Sequence, residues 1–140
     1  MSQFYVGVKI VFAWVAKDNK GEDGYAIKYP DGYVSWSPKD VFEASYLPMG
    51  DSNDNTVTQD MVSAMTKDHV ESKELPDGKT TLVKCEMATG FVQYETASCV
   101  DPKNYDTAVG EKICVKRIEE AVWKFLGFVV QWGKFGLSAK

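Results

Sequence analysis

The apolar residues Val109, Ile113, Ile118, Val122, Phe125, Leu126 and Val129 lie at helical spacing through the last part of the chain, and Trp123 widens the stripe. A helix with such a stripe must cover its apolar face against something, and a sheet is a common partner. The spacing predicts a long helix, capped at Asn104 and ending between Gln131 and Gly133. Phe125, near the centre of its wide C-terminal half, is the expected core residue. Lys112, Lys116 and Glu119 fall on the opposite side.

The candidate cover lies just before it. Thr80 to Met87 and Phe91 to Val100 read as two strands joined around Ala88-Thr89-Gly90, a β-hairpin that cannot stand alone. A helix from Thr56, with Gln59 three residues on as a capping box, carries Val57, Met61, Met65 and His69 at steps of four. The first third reads differently. Tyr5 to Val15 is β-branched and aromatic, with Val6, Val8, Ile10 and Phe12 at period two. Tyr25, Ile27 and Tyr29 alternate in a second strand, Pro30-Asp31-Gly32 turns, and Tyr33, Val34 and Trp36 form a third. Ser37 then reads as the cap of a helix with Pro38 at its first position, closed by Pro48.

The expected fold is α+β: a small antiparallel meander plus helix (βββα) followed by an αββα module. The expected boundaries are 1–49 for the first module, a linker at 50–55 reading GDSNDN, 56–133 for the second, and a tail at 134–140.

The 140 residues carry a formal net charge of −4, which disfavours non-specific binding to nucleic acid or acidic membranes. Cys85, Cys99 and Cys114 form no CxxC pair, so free thiols and a reducing compartment are expected. No apolar run is long enough for a membrane span, and the opening MSQFYVGVKIVFAW reads as strand, not signal peptide. His69 is the sole histidine, and nothing in the sequence pairs it with a cysteine. Asp51 and Asp54 hint at a calcium loop but lack the twelve-residue pattern and its terminal Glu. No phosphate-binding glycine motif is present. No catalytic, cofactor-binding or metal-binding residue is assigned, and no cofactor is expected.

Two stretches carry a further signal. The second runs from about Thr56 to Val130. It includes Ala97-Ser98-Cys99-Val100-Asp101-Pro102, Asn104-Tyr105-Asp106, Gly110-Glu111-Lys112-Ile113 and Trp123-Lys124-Phe125-Leu126-Gly127-Phe128. It resembles the phage N4 gp49 / Sf6 gene 66 family. The first is marked by Glu22-Asp23-Gly24-Tyr25, Tyr29-Pro30-Asp31-Gly32-Tyr33 and Ser35-Trp36-Ser37-Pro38-Lys39-Asp40-Val41-Phe42, and looks like a module common in phage proteins. The resemblance implies a small phage or prophage protein in the bacterial host cytoplasm. It implies no chemistry and transfers no site residue.

The function expected is that of a phage accessory protein acting by protein–protein interaction, with a host or phage protein as partner and a homodimer possible. Tyr25, Tyr29, Tyr33 and Trp36 are the candidate contact residues, because exposed aromatics anchor protein recognition. A nucleic-acid-associated factor using Lys112, Lys116, Arg117 and Lys124 is the first alternative. A small enzyme whose site the sequence does not reveal is the second.

Overall fold

A computed structural model describes residues 1–66 and 69–138. Residues 67 and 68, inside the expected second module, and the last two positions of the expected tail lie outside the described residues. The fold is α+β. The chain forms two compact units: residues 1–56 with 128–140, and residues 57–127.

In the first unit, β1 (Phe12–Lys17), β2 (Asp23–Lys28) and β3 (Val34–Pro38) form an antiparallel meander in that order. The turn at Pro30-Asp31-Gly32 fixes the second register. The Tyr29 amide donates to the Tyr33 carbonyl at 2.9 Å, Gly32 has φ +90°, and the Asp31 carboxylate accepts the Tyr33 amide. Trp36 therefore faces Ala26, and Tyr25 faces Ser37. The first strand is shorter than its sequence predicts. Pairing begins at Phe12, and among the described residues no strand pairs with residues 5–11.

Helix α1 (Lys39–Ser45) follows β3 directly. The expected Ser37 cap is not formed. Ser37 and Pro38 still belong to the sheet, and Pro38 takes the capping position with no side-chain hydrogen bond. The Ser37 hydroxyl turns to the Pro38 carbonyl at 3.4 Å. The segment at 50–55 is organised around Asn53. Its amide donates to the Met49 and Thr56 carbonyls at 2.7 Å each, and its carbonyl accepts the Asn55 and Thr56 amides. Asp54 pairs with Lys134, which holds its carboxyl below the usual aspartate range chiefly through that hydrogen bond. The pair is therefore kept at neutral pH and is lost as pH falls through the lowered aspartate pKa.

In the second unit, α2 (Gln59–Thr66) precedes a sheet of β4 (Val70–Glu74), β5 (Thr80–Glu86) and β6 (Val92–Ser98), again antiparallel and in chain order. The architecture is αβββα, one strand more than the sequence pattern suggests. β4 reads VESKE and has one apolar residue, so no alternation marks it; as an edge strand it is held by pairing with β5. Helix α2 starts later than expected: the Thr58 hydroxyl, not that of Thr56, accepts the amide of Met61 at 3.3 Å. It also ends before His69, which is exposed beyond it. Helix α3 (Thr107–Phe135) is capped by Asp106, whose carboxylate accepts the amides of Ala108 and Val109. Asn104 sits instead in a 3-10 turn closed by Asp101.

These caps predict a contrast. Asp106→Ala should cost about 1 kcal/mol in chemical denaturation, through loss of a helix cap. Ser37→Ala should change stability by under about 0.5 kcal/mol.

The core of the second unit contains Met61, Val62, Val83, Cys85, Met87, Cys114, Ile118, Val122 and Leu126. On α3 the buried row is Gly110, Cys114, Ile118, Val122, Leu126 and Val130, at steps of four. Ile118, Val122 and Leu126 of the expected stripe are buried, but Val109, Ile113, Phe125 and Val129 are exposed; Phe125 retains 42% of its surface and meets Phe91 edge-to-face at 6.2 Å. The reason lies at Gly110. An added Cβ there would sit 2.3 Å from the Thr81 hydroxyl, so near its start α3 approaches β5 through Gly110. Gly110 and Cys114 thus select the face, and the larger residues beside them turn outward.

Candidate functional site

The meander of the first unit has two unlike faces. Alternation along β2 and its two registers put Tyr25 and Ile27 on one face and Gly24, Ala26 and Lys28 on the other. On the first face Tyr25 stacks on Phe42 of α1 at 4.2 Å and donates its hydroxyl to Glu43, while Phe42 stacks on Tyr46. The hydrogen bond to Glu43 raises the Tyr25 phenol above its ordinary value. Tyr29 and Tyr33 stack at the hairpin end, with the Lys9 ammonium 4.5 Å from the Tyr29 ring centre.

Trp36 lies on the opposite face from these tyrosines. Its indole crosses Gly24, where an added Cβ would stand 2.4 Å from the ring, and its N–H donates to the Ala16 carbonyl at 2.8 Å. Trp36 thus ties all three strands together. The structure groups Tyr25 with Phe42 and Tyr29 with Tyr33, and it separates Trp36 from all three tyrosines.

Beside Trp36 stand residues that the sequence reading did not single out. Trp14 faces Ala26 from the other side, and Phe12 and Val34 flank Lys28. Phe12, Trp14 and Val34 are exposed, and the first two rings lie 5.8 Å apart. The even positions of β1 could have revealed this face once the three-residue turn was used to set the register.

The whole unit is short of cover. Among the described residues, two of the eleven buried core hydrophobics, Ile27 and Val130, belong to it, whereas fourteen of the twenty-two exposed large hydrophobics do.

The basic residues of α3 are dispersed. Lys112, Lys116 and Lys124 are exposed, with Glu120 between the last two. Arg117 is engaged, donating to the Thr96 carbonyl of β6 at 2.9 Å. Cys85 and Cys114 are buried free thiols, and burial pushes both above the usual thiol range, the reverse of what a nucleophile requires. His69 pairs across from Glu86, so Cys85 next to Glu86 points to the other side of its sheet. Glu71, Lys84 and Glu86 share a shallow concavity with His69 and Val70. Among the described residues no group of three or more His, Cys, Asp or Glu is placed to hold a metal ion, and no helix is long and apolar enough to cross a membrane.

The fold and this surface define a small α+β protein whose conspicuous feature is uncovered aromatic surface and not a reactive cluster. The chain belongs to the phage protein (N4 Gp49/phage Sf6 gene 66) family, whose pattern matches residues 54–133. Comparison with curated proteins and with solved structures gave no match.

Proposed function

We propose that the protein is a phage accessory protein that binds another protein, of host or phage origin, in the host cytoplasm, and that the contact is made by the sheet face of the first unit that carries Phe12, Trp14 and Val34, its ring face. The observation that supports this is the imbalance of apolar cover: Phe12, Trp14 and Val34 stand exposed on one sheet face. Exposed aromatics grouped on a rigid sheet are the anchors from which protein interfaces are built. Tyr33, exposed at the hairpin end on the opposite face, is a separate candidate contact. Trp36 supports the face from within, since its N–H is already bonded.

The nucleic-acid reading has less support. Three separated lysines beside Glu120, on a chain of charge −4, make a weak phosphate-binding surface. Fluorescence anisotropy on single- and double-stranded DNA should therefore show weak or no binding at physiological salt. Tight binding that disappears when Lys112, Lys116 and Lys124 are replaced would contradict the proposal.

Affinity capture from lysate of infected cells, with and without nuclease, tests the protein-binding reading. A discrete protein should be retained after nuclease treatment. It should persist with Lys112→Ala/Lys116→Ala/Lys124→Ala and be lost with Phe12→Ala/Trp14→Ala. Material released by nuclease, and sensitive only to the lysine changes, would overturn the reading.

A further inference from the structure

Alternation and the two registers put the even-numbered positions of β1, β2 and β3 on the ring face. Trp14, Ala26 and Trp36 form one row across it, and Phe12, Lys28 and Val34 form the next, toward the 29–33 turn. The remaining positions are alanine, glycine and proline. The side-chain polar groups on this face are the two indole N–H groups and the Lys28 ammonium. All of them donate and none accepts. The Trp36 N–H is spent on the Ala16 carbonyl. Among the described residues, neither Trp14 nor Lys28 makes a side-chain hydrogen bond, and the ion pairs of the chain are Lys17 with Asp23 and Lys134 with Asp54. Asp23, the one carboxylate within the three strands, lies on the opposite face with Lys17.

This inventory constrains what can cover the face. Lys28 stands between Phe12 and Val34, so a partner that covers both rows also covers the lysine stem. Covering a cation without supplying an anion is costly. Placing a second cation there is worse.

We propose that the ring face takes a protein segment that presents an Asp or Glu carboxylate flanked by apolar side chains. The carboxylate accepts from the Lys28 ammonium, and its apolar neighbours seat on Phe12, Trp14 and Val34. The free Trp14 N–H takes a further acceptor of the segment. A second copy of this face is a poor match, since two surfaces that hold only donors cannot satisfy each other. Single-stranded nucleic acid also stacks on exposed rings, but one lysine on a chain of charge −4 offers its phosphates little. This partner chemistry rests on the protein-binding reading of the same face.

A displayed library of random linear peptides, selected on the immobilised full chain, tests it. Peptides retained by the wild type and not by Trp14→Ala should be enriched in Asp or Glu beside apolar residues. Lys28→Glu should melt like the wild type, because Lys28 is exposed. Selection on that variant should instead enrich Lys or Arg at the acidic place. A retained peptide, followed by fluorescence anisotropy, should bind about tenfold or more weakly when its carboxylate is replaced by the amide. That loss should persist with Lys28→Arg and vanish with Lys28→Met. Trp14-dependent peptides without acidic enrichment, or acidic enrichment unchanged by Lys28→Glu, would overturn the carboxylate partner and leave the binding face standing. A selection that yields no Trp14-dependent peptide would overturn the face itself, and the carboxylate partner with it. An oligothymidylate bound more tightly than the retained peptides, and released by Lys28→Glu and Trp14→Ala alike, would refute a protein partner here.

Discussion

Replacing Gly110 with alanine is expected to lower the stability of the second unit by about 3 kcal/mol, although alanine is the better helix former by about 1 kcal/mol. The added Cβ would stand 2.3 Å from the Thr81 hydroxyl and 2.8 Å from the Thr81 Cβ. Thr81 is fully buried, and its hydroxyl bonds the Tyr105 hydroxyl at 2.8 Å. Making room means moving α3 from β5, which overpacking data put at about 1–3 kcal/mol, and breaking that bond adds about 1–3 kcal/mol. Against a total near 5–15 kcal/mol, such a loss shifts the urea midpoint visibly. A Gly110→Ala protein with the midpoint of its parent would show that α3 does not approach β5 at this point.

Ile118→Ala should cost about 2–5 kcal/mol, because a buried side chain is removed and a cavity remains. Ile118 keeps only 1% of its surface. Phe125→Ala should cost less than half as much despite the larger side chain, since Phe125 is half exposed and loses mainly its contact with Phe91. An aromatic edge-to-face pair is worth about 0.5–1.5 kcal/mol beyond its buried area. Parallel denaturant melts of the two variants decide the matter. If Phe125→Ala proves the more damaging, the face assigned to α3 is wrong by one residue.

These two changes show what could be read from the sequence and what could not. That α3 exists is written in its apolar periodicity, and the hairpins of both units are written in their alternation and turns. The face α3 buries is only partly legible from residue size. Ile118, Val122 and Leu126 of the apolar stripe are buried, but near the start of the helix Gly110 and Cys114 lie inward, while Val109 and Ile113, which look like core, lie outward. Gly110 four residues before Cys114 was the available signal. β4 was illegible for another reason: an exposed edge strand needs backbone partners and no apolar pattern. The site was half legible. The tyrosines and Trp36 fall in one stretch of sequence, but a three-residue turn pairs position 29 with 33 and so carries Trp36 to the opposite face. The exposed Phe12 and Trp14 emerge only when that register is followed across to β1.

A photo-crosslinking residue at position 14, introduced into the full chain and activated in infected cells, tests the proposed binding face most directly. The account predicts a discrete adduct with a protein from position 14, and none from the same residue placed at position 116 on α3. No protein adduct from position 14, together with crosslinks to nucleic acid or protein from position 116, would contradict it.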